Sequence, residues 1–311
     1  MTVPLGAGPR PAEGPLSTTV RIPAPYDLML TLSPLRRALG DPTMRLGRGQ
    51  AVRATRTPDG PATTRMTVVP GGVQVEAWGP GARWALAAAP DLLGADDDPT
   101  RLVTEQPLIR ELGRRLAGLR IGRSLAVWEA LLPAILEQKV AGEAARRSWR
   151  ALVRRWSEAA PGPGSLLLPP RPTDVAGLPS YAFHPLGVER RRAETVRRAA
   201  REAARLEPLA VDPAVLGTRL MAIPGVGAWT TAEVLARAAG DPDAVSVGDF
   251  HLKHLVAWAL AGEARGTDAR MLELLEPFAG QRGRVVRLLE ASGIWPPARG
   301  PRLAVRRFER D

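Results

Sequence analysis

The chain contains no cysteine. Disulfides, thiolate-bound zinc, cysteine-ligated iron–sulfur clusters and cysteine nucleophiles are therefore excluded. Lysine is nearly absent as well: of 43 basic residues only Lys139 and Lys253 are lysines. Such an arginine bias matches codon choice in a GC-rich genome, which weakens any function read from arginine clusters alone. Aromatic residues make up only 5% of the chain. No apolar run approaches the length of a membrane span. The first residues, MTVPLGAGPRPAEGP, have no apolar core of the kind a signal peptide carries, and 1–17 read as a disordered lead-in. The three histidines, His184, His251 and His254, lack the spacing of a metal-ligand set, and no internal repeat is visible.

What is present is a chain of 311 residues with 45% apolar content, enough for one large domain or two or three smaller ones. Net charge is +11 and the pI about 11.3. That balance points to a polyanionic partner, nucleic acid first, against the plainer reading of a solvated basic surface.

Residues 18–87 favour strands. "QAVRATRT", "TTRMTVV" and "GVQVEAW" alternate apolar and polar residues, with turn signals at "PDGP" and "PGG" between them. The expectation is an antiparallel, half-buried meander, with "LGADDDPT" (93–100) as a plausible boundary. From about residue 106 the period becomes helical, with apolar stripes at Trp128, Leu131, Leu132 and Ile135 and again at Trp149, Leu152, Val153 and Trp156. Pro133 is expected to kink or restart its helix. "PGPGSLLLPPRP" (161–172) reads as a loop, and 188–207 as a strongly basic helix. The fold class read from this order is α+β: an antiparallel β-rich domain at 18–105, a mostly helical region at 106–295 made of two subdomains, and a basic tail at 296–311.

The most specific stretch is RLMAIPGVGAWTTAEVLARAAG, residues 219–240. Gly225 and Gly227 lie between an apolar segment and a new helix. Glycine admits a positive φ and leaves no side chain in the way. The free N–H groups at the start of the next helix can hold an anion, so a phosphate can approach the backbone around Gly225, Val226 and Gly227 closely, with Thr230 adding a hydroxyl. The plain alternative is an ordinary helical hairpin with a helix-stop glycine. Asp249 stands at a helix start 22 residues beyond Gly227, and its plain reading is an N-cap.

The string apolar-Pro-Gly-apolar-Gly-x-Trp-Thr resembles the helix-hairpin-helix motif. Together with Asp249 it resembles the superfamily of DNA glycosylases named for hairpin, Gly/Pro-rich loop and aspartate (HhH-GPD), over most of residues 106–295. With the strand-rich first hundred residues the layout is similar to the 3-methyladenine DNA glycosylase II type, and "AILEQKV" (134–140) and "LGVERRRAETV" (186–196) resemble further segments of it. The resemblance implies excision of damaged bases from double-stranded DNA, with Asp249 stabilising an oxocarbenium-like sugar and orienting or deprotonating the attacking water. It implies a sodium or potassium ion held by the carbonyls of Met221, Ile223 and Val226, and no other cofactor. It implies DNA contacts at Gln138 and Lys139. Lys139 occupies the position of a hydrophobic wedge and is a departure, with a phosphate-facing lysine as its alternative.

Trp229 fills the slot in which strand-nicking relatives carry lysine, so a monofunctional enzyme is expected. The indole would stack on a flipped base or pack between helices. Glu233 and Gln281 stand where pocket aromatics are expected, which suggests a different or bulkier lesion, or weak discrimination. Lys253 is expected to pair with Asp249 at i,i+4, and His251 to have a surface or packing role. The expected enzyme is a monomer that excises alkylated bases, N3- or N7-alkylpurines or bulkier adducts, in a cytoplasmic, nucleoid-associated setting, without membrane contact. The alternatives are a catalytically silent damage-binding protein and a bifunctional glycosylase/lyase.

Overall fold

The computed structural model describes residues 14–297. Most of the expected lead-in and nearly all of the basic tail lie outside these residues. The molecule is α+β. Strand β1 (Leu16–Arg21) pairs antiparallel with β5 from Leu16↔Ala77 onward, so ordered pairing begins two residues earlier than the sequence reading put it. Helix α1 (Leu28–Leu32) follows, then β2 (Met44–Gly47), β3 (Gln50–Thr57), β4 (Gly60–Val69) and β5 (Gly72–Trp78). The sheet order is β1-β5-β4-β3-β2, and every neighbouring pair is antiparallel. Short helices α2 (Ala82–Ala87) and α3 (Ala89–Leu93) close this part. Its core joins Val20, Leu28, Leu32, Met66, Val73, Val75 and Leu93.

Helix α4 (Pro107–Arg115) opens the helical region. It is followed by α5 (Val127–Glu137), α6 (Gly142–Trp156), α7 (Pro172–Gly177), α8 (Arg190–Leu206), α9 (Pro213–Met221), α10 (Ala228–Val234), α11 (Leu252–Ala261), α12 (Asp268–Leu275) and α13 (Arg282–Ser292). Helix α5 runs through Pro133 without a break, so the expected restart does not occur. Its nine buried residues, Pro133 among them, hold it in the protein interior, where tertiary packing outweighs one missing N–H. Two apolar cores result. One joins α5 to α10, with Leu131, Ile135, Leu152, Phe183, Val196 and Val234 fully buried. The other joins α4, distant in sequence, to α11–α13 through Ile109, Leu112, Val256, Met271, Leu275 and Leu289.

The sheet is fastened to the helices by buried polar contacts. Glu129 of α5 accepts from Arg53 Nη2 (2.6 Å), Thr55 Oγ1 (2.8 Å) and the Arg56 N–H (2.8 Å) on β3. Trp149 Nε1 donates to Asp41 at 3.2 Å. The stretch 93–100 is not a free linker: Asp97 is ion-paired with the buried Arg284 of α13 and accepts from the Ile121 N–H at 2.9 Å. The expected loop at 161–172 also packs down, with Leu166 and Leu168 buried against Ala54. Among the described residues no helix is long and apolar enough to cross a membrane.

Candidate active site

The hairpin joins α9 to α10. Val226 N–H donates to the Ile223 carbonyl at 2.9 Å, with Pro224 and Gly225 in the middle of the turn. Gly225 has φ +98°, the position at which a type II turn with proline before it demands glycine. A Cβ there would also meet Thr195 Oγ1 of α8 at 2.2 Å. Gly227 differs: its φ is −117°, extended backbone open to any residue, and a Cβ would meet nothing within 4 Å. Inside the molecule nothing requires glycine at 227; the space it leaves faces outward. The N–H groups of Gly227, Ala228, Trp229 and Thr230 find no acceptor among the described residues, since the first bond of the new helix is Thr231 N–H to Gly227 O (2.9 Å). These are the orphan donors of a helix start.

Gln138, at the end of α5, ties this turn down. Its Nε2 donates to the Gly225 carbonyl (3.0 Å) and to Thr230 Oγ1 (2.8 Å). Thr230 is therefore no outward hydroxyl, as the sequence reading had it; it is buried and holds Gln138 in place. Lys139, next in the chain, is exposed in a left-handed conformation with φ +53°, at the tip of the α5–α6 turn.

Asp249 lies between the two helical cores. Its Oδ1 accepts from the N–H groups of His251 (2.7 Å) and Leu252 (2.9 Å), capping α11. Its Oδ2 accepts from Trp229 Nε1 at 3.1 Å. The carboxylate is thus fixed by backbone on one side and, across the cleft, by the indole of α10. The expected pair with Lys253 does not form. Lys253 Nζ lies 3.4 Å from Asp268 Oδ2, because α12 brings a second carboxylate to the face of α11 that carries the lysine. His254 accepts from the Gly266 N–H at 3.1 Å, and burial lowers its pKa.

Two hollows meet at Asp249. One is an open groove of about 810 Å³, bordered by Gln138, Lys139, Gly225, Gly227, Trp229, Thr230, Phe250 and His251. The other is a smaller cavity of about 120 Å³, with Glu233, Arg237, Ser246, Gly283 and Arg287 in its walls. Glu233 is bound to Arg237 (2.5 Å) and accepts from Ser246 Oγ (2.6 Å). Gln281 lines neither hollow. It sits at the start of α13, where its Oε1 accepts from Arg284 Nε at 2.7 Å. Phe250 and Arg37 are among the bordering residues that escaped the sequence reading. Phe250 is 61% exposed beside Asp249, with its ring edge-on to His251 at 4.9 Å. Arg37 reaches the groove from the β-rich part. An aromatic directly after a helix-start aspartate was a readable signal for the first; nothing in "SPLRRALG" pointed to the second.

The assembly defines a class: an α+β protein with a hairpin of free backbone donors and a fixed carboxylate where a groove meets a cavity. Residues 132–279 match the family described as HhH-GPD superfamily base excision DNA repair protein. Among solved structures, the 3-methyladenine DNA glycosylase of Archaeoglobus fulgidus superposes with a TM-score of 0.71 at 18% identity, covering 88% of this chain and 98% of that one. The 8-oxoguanine glycosylase/lyase of Clostridium acetobutylicum, bound to double-stranded DNA, gives 0.67 at 12% identity, covering 86% and 93%. A 3-methyladenine DNA glycosylase of Schizosaccharomyces pombe bound to abasic DNA gives 0.53 at 16%, covering 65% and 98%. A search of curated protein sequences finds no match.

Proposed function

We propose that the protein is a monofunctional DNA glycosylase that extrudes alkylated bases, N3- and N7-alkylpurines or bulkier adducts, from duplex DNA and releases them hydrolytically, leaving an abasic site. The observation that carries this reading is Asp249, a carboxylate held by two backbone N–H groups and one indole N–H at the junction of groove and cavity. Departure of the base leaves positive charge on the sugar. A fixed carboxylate stabilises that charge without reorganising at the moment of reaction, and it can orient or deprotonate the attacking water. The base must leave the stack to reach it, and the cavity behind Asp249 offers the space. The match of residues 132–279 to that superfamily supports the same reaction class.

The free N–H groups from Gly227 to Thr230 suit a phosphate. The carbonyls of Met221 and Val226 accept no hydrogen bond among the described residues, and that of Ile223 keeps one lone pair beyond its bond to Val226 N–H. This donor set fits a monovalent cation, sodium or potassium, which would add positive charge beside the same phosphate. Monofunctionality is supported by Trp229 in the position of a nucleophilic lysine and by Lys253 being engaged with Asp268. On this reading the enzyme works as a monomer on nucleoid DNA in the cytoplasm, with no organic cofactor.

The test is a panel of duplexes, each carrying one defined lesion, assayed for free base and for strand scission before alkali. Base release with an intact strand is expected. DNA binding with no release would make the protein a damage-binding one, and a nicked strand would make it a lyase.

A further inference from the structure

The cavity behind Asp249 is not a stacking slot. No phenylalanine, tyrosine or tryptophan lines it among the described residues; the rings of Trp229 and Phe250 stand along the groove outside. Its walls carry ionised groups that already have partners: Arg237 holds Glu233, Arg287 faces Glu290 at 3.4 Å, and Arg120 donates to backbone carbonyls, including Pro25 O at 2.9 Å.

Arg37 is the exception. It belongs to the turn whose Pro34 and Leu35 form part of the cavity wall, and it borders the groove together with Trp229 and Asp249. Among the described residues its guanidinium makes no hydrogen bond and no ion pair; only its backbone N–H is engaged, with Asp41 at 2.8 Å. Burial and the facing Arg237 guanidinium bring its pKa down to about 10, against the pull of Glu137, Glu233 and Asp41. Partly desolvated guanidinium N–H groups that make no hydrogen bond cost free energy that a ligand can recover.

A guanidinium only donates, so its ligand must present acceptors. A phosphate fits poorly, because three carboxylates, Glu137, Glu233 and Asp41, already face the same place and would repel it. A carbonyl or ring-nitrogen acceptor of a base meets no such repulsion. Guanine presents O6 beside N7, the edge that arginine reads with two donors, whereas adenine places its amino donor where O6 would be. N7-alkylguanine has lost the N7 acceptor to the alkyl group and keeps O6, so one charge-assisted N–H bond to O6 remains, at the place where adenine presents a donor.

We infer that Arg37 is a specificity-determining residue, supplied by the β-rich part of the chain, that reads the acceptor edge of the extruded base and favours guanine-type over adenine-type lesions. The inference rests on the glycosylase reading, and the experiment separates the two. Wild type, Arg37→Met and Arg37→Lys are compared on duplexes identical except for one base. Binding is measured to an undamaged duplex and to duplexes with uncleavable 2′-fluoro-7-methylguanosine or with 3-deaza-3-methyladenosine. Base release is measured on 7-methylguanine and 3-methyladenine duplexes, corrected for spontaneous loss. Wild type should bind the guanine-type duplex about tenfold or more tightly than the adenine-type one. Arg37→Met should bring that ratio to about threefold or less, with undamaged DNA bound as before, and the release ratio should move in the same direction. Arg37→Lys keeps the charge on a compact, more strongly hydrated ammonium and should recover only part of the preference. An unchanged ratio in Arg37→Met, or no preference in wild type, overturns the inference. So does an equal loss on every duplex, which would make Arg37 a phosphate contact. Should no base be released from any duplex while the binding preference is present and Arg37-dependent, the glycosylase reading falls and the role of Arg37 stands. If Arg37→Met does not melt cooperatively, Arg37→Lys alone decides.

Discussion

At the scale of single residues, Asp249 does two jobs with two oxygens: one caps α11 and the other faces the cleft through Trp229. Asparagine is as good an N-cap as aspartate, so Asp249→Asn should fold and bind DNA normally. It should lose base release by about a hundredfold or more, the usual effect of deleting one electrostatic contact to a transition state. Single-turnover release and a thermal melt check both halves, and near wild-type turnover would reject the mechanism. The two hairpin glycines should separate in the same way. Gly225 is fixed by φ +98° and by Thr195, so Gly225→Ala should destabilise the fold by about 1–3 kcal/mol. Gly227 has neither constraint, so Gly227→Val should leave the melting temperature nearly unchanged and weaken binding to all duplexes alike. A loss restricted to one base sequence would argue against backbone capture of phosphate.

At the scale of elements, α5 is held from outside. Glu207, beyond the end of α8, accepts from the N–H groups of Val127 (2.8 Å) and Trp128 (2.9 Å) and so caps a helix that has no side-chain cap of its own. Burial pushes this carboxyl up from 4.5 to about 7, the two backbone bonds opposing the rise. The folded protein therefore keeps the proton over a range in which the unfolded chain has released it. This contribution to stability is complete below about pH 4.5 and is lost as pH rises toward 7, with a slope of at most about 1.4 kcal/mol per pH unit. Urea melts of wild type and Glu207→Gln between pH 5 and 7.5 should differ in slope, with the variant flatter. The junction of β3 and α5 makes a second case. Glu129→Ala would strand Arg53 and Thr55 without their shared acceptor, at a cost of about 3–5 kcal/mol. Equilibrium unfolding measures it, and a cost below 1 kcal/mol would mean that water replaces the carboxylate.

At the scale of the whole molecule, a net charge of +11 sets the approach to DNA. Binding should fall linearly on a log–log salt plot and depend little on sequence, because phosphates and not base edges provide most contacts. The product belongs to this scale too, since it depends on which amines the fold brings to the sugar. Lys253 is committed to Asp268, while Lys139 is exposed at the rim of the groove. Borohydride added during turnover should trap no adduct, and the strand should stay intact until alkali. Trapping that disappears in Lys139→Ala would make that lysine a nucleophile and the enzyme a lyase.

Local chemistry was legible in the residues themselves. Period-two alternation marked the strands, the Pro-Gly-Val-Gly string marked a turn with outward backbone donors, and Asp249 marked a helix start, because each depends on neighbours a few positions away; the further role of Asp249 came only with the resemblance to the glycosylase superfamily. Partner choice across long separations was not legible. Lys253 had Asp249 one turn away but met Asp268 when α12 folded against α11. Thr230 turned inward to Gln138, 92 positions away in the chain. Gln281 bound Arg284 within its own helix start, and Glu233 was neutralised by Arg237. Arg37 entered the site because the sheet docks on α5 through Glu129, a contact spanning more than 70 residues. Sequence determined which groups exist and which backbone shapes they permit. Only the closing of two helical cores and a sheet around one cleft decided which charges are paired and which is left to meet a ligand, since burial, and with it the cost of an unpaired charge, arises only when distant segments come together.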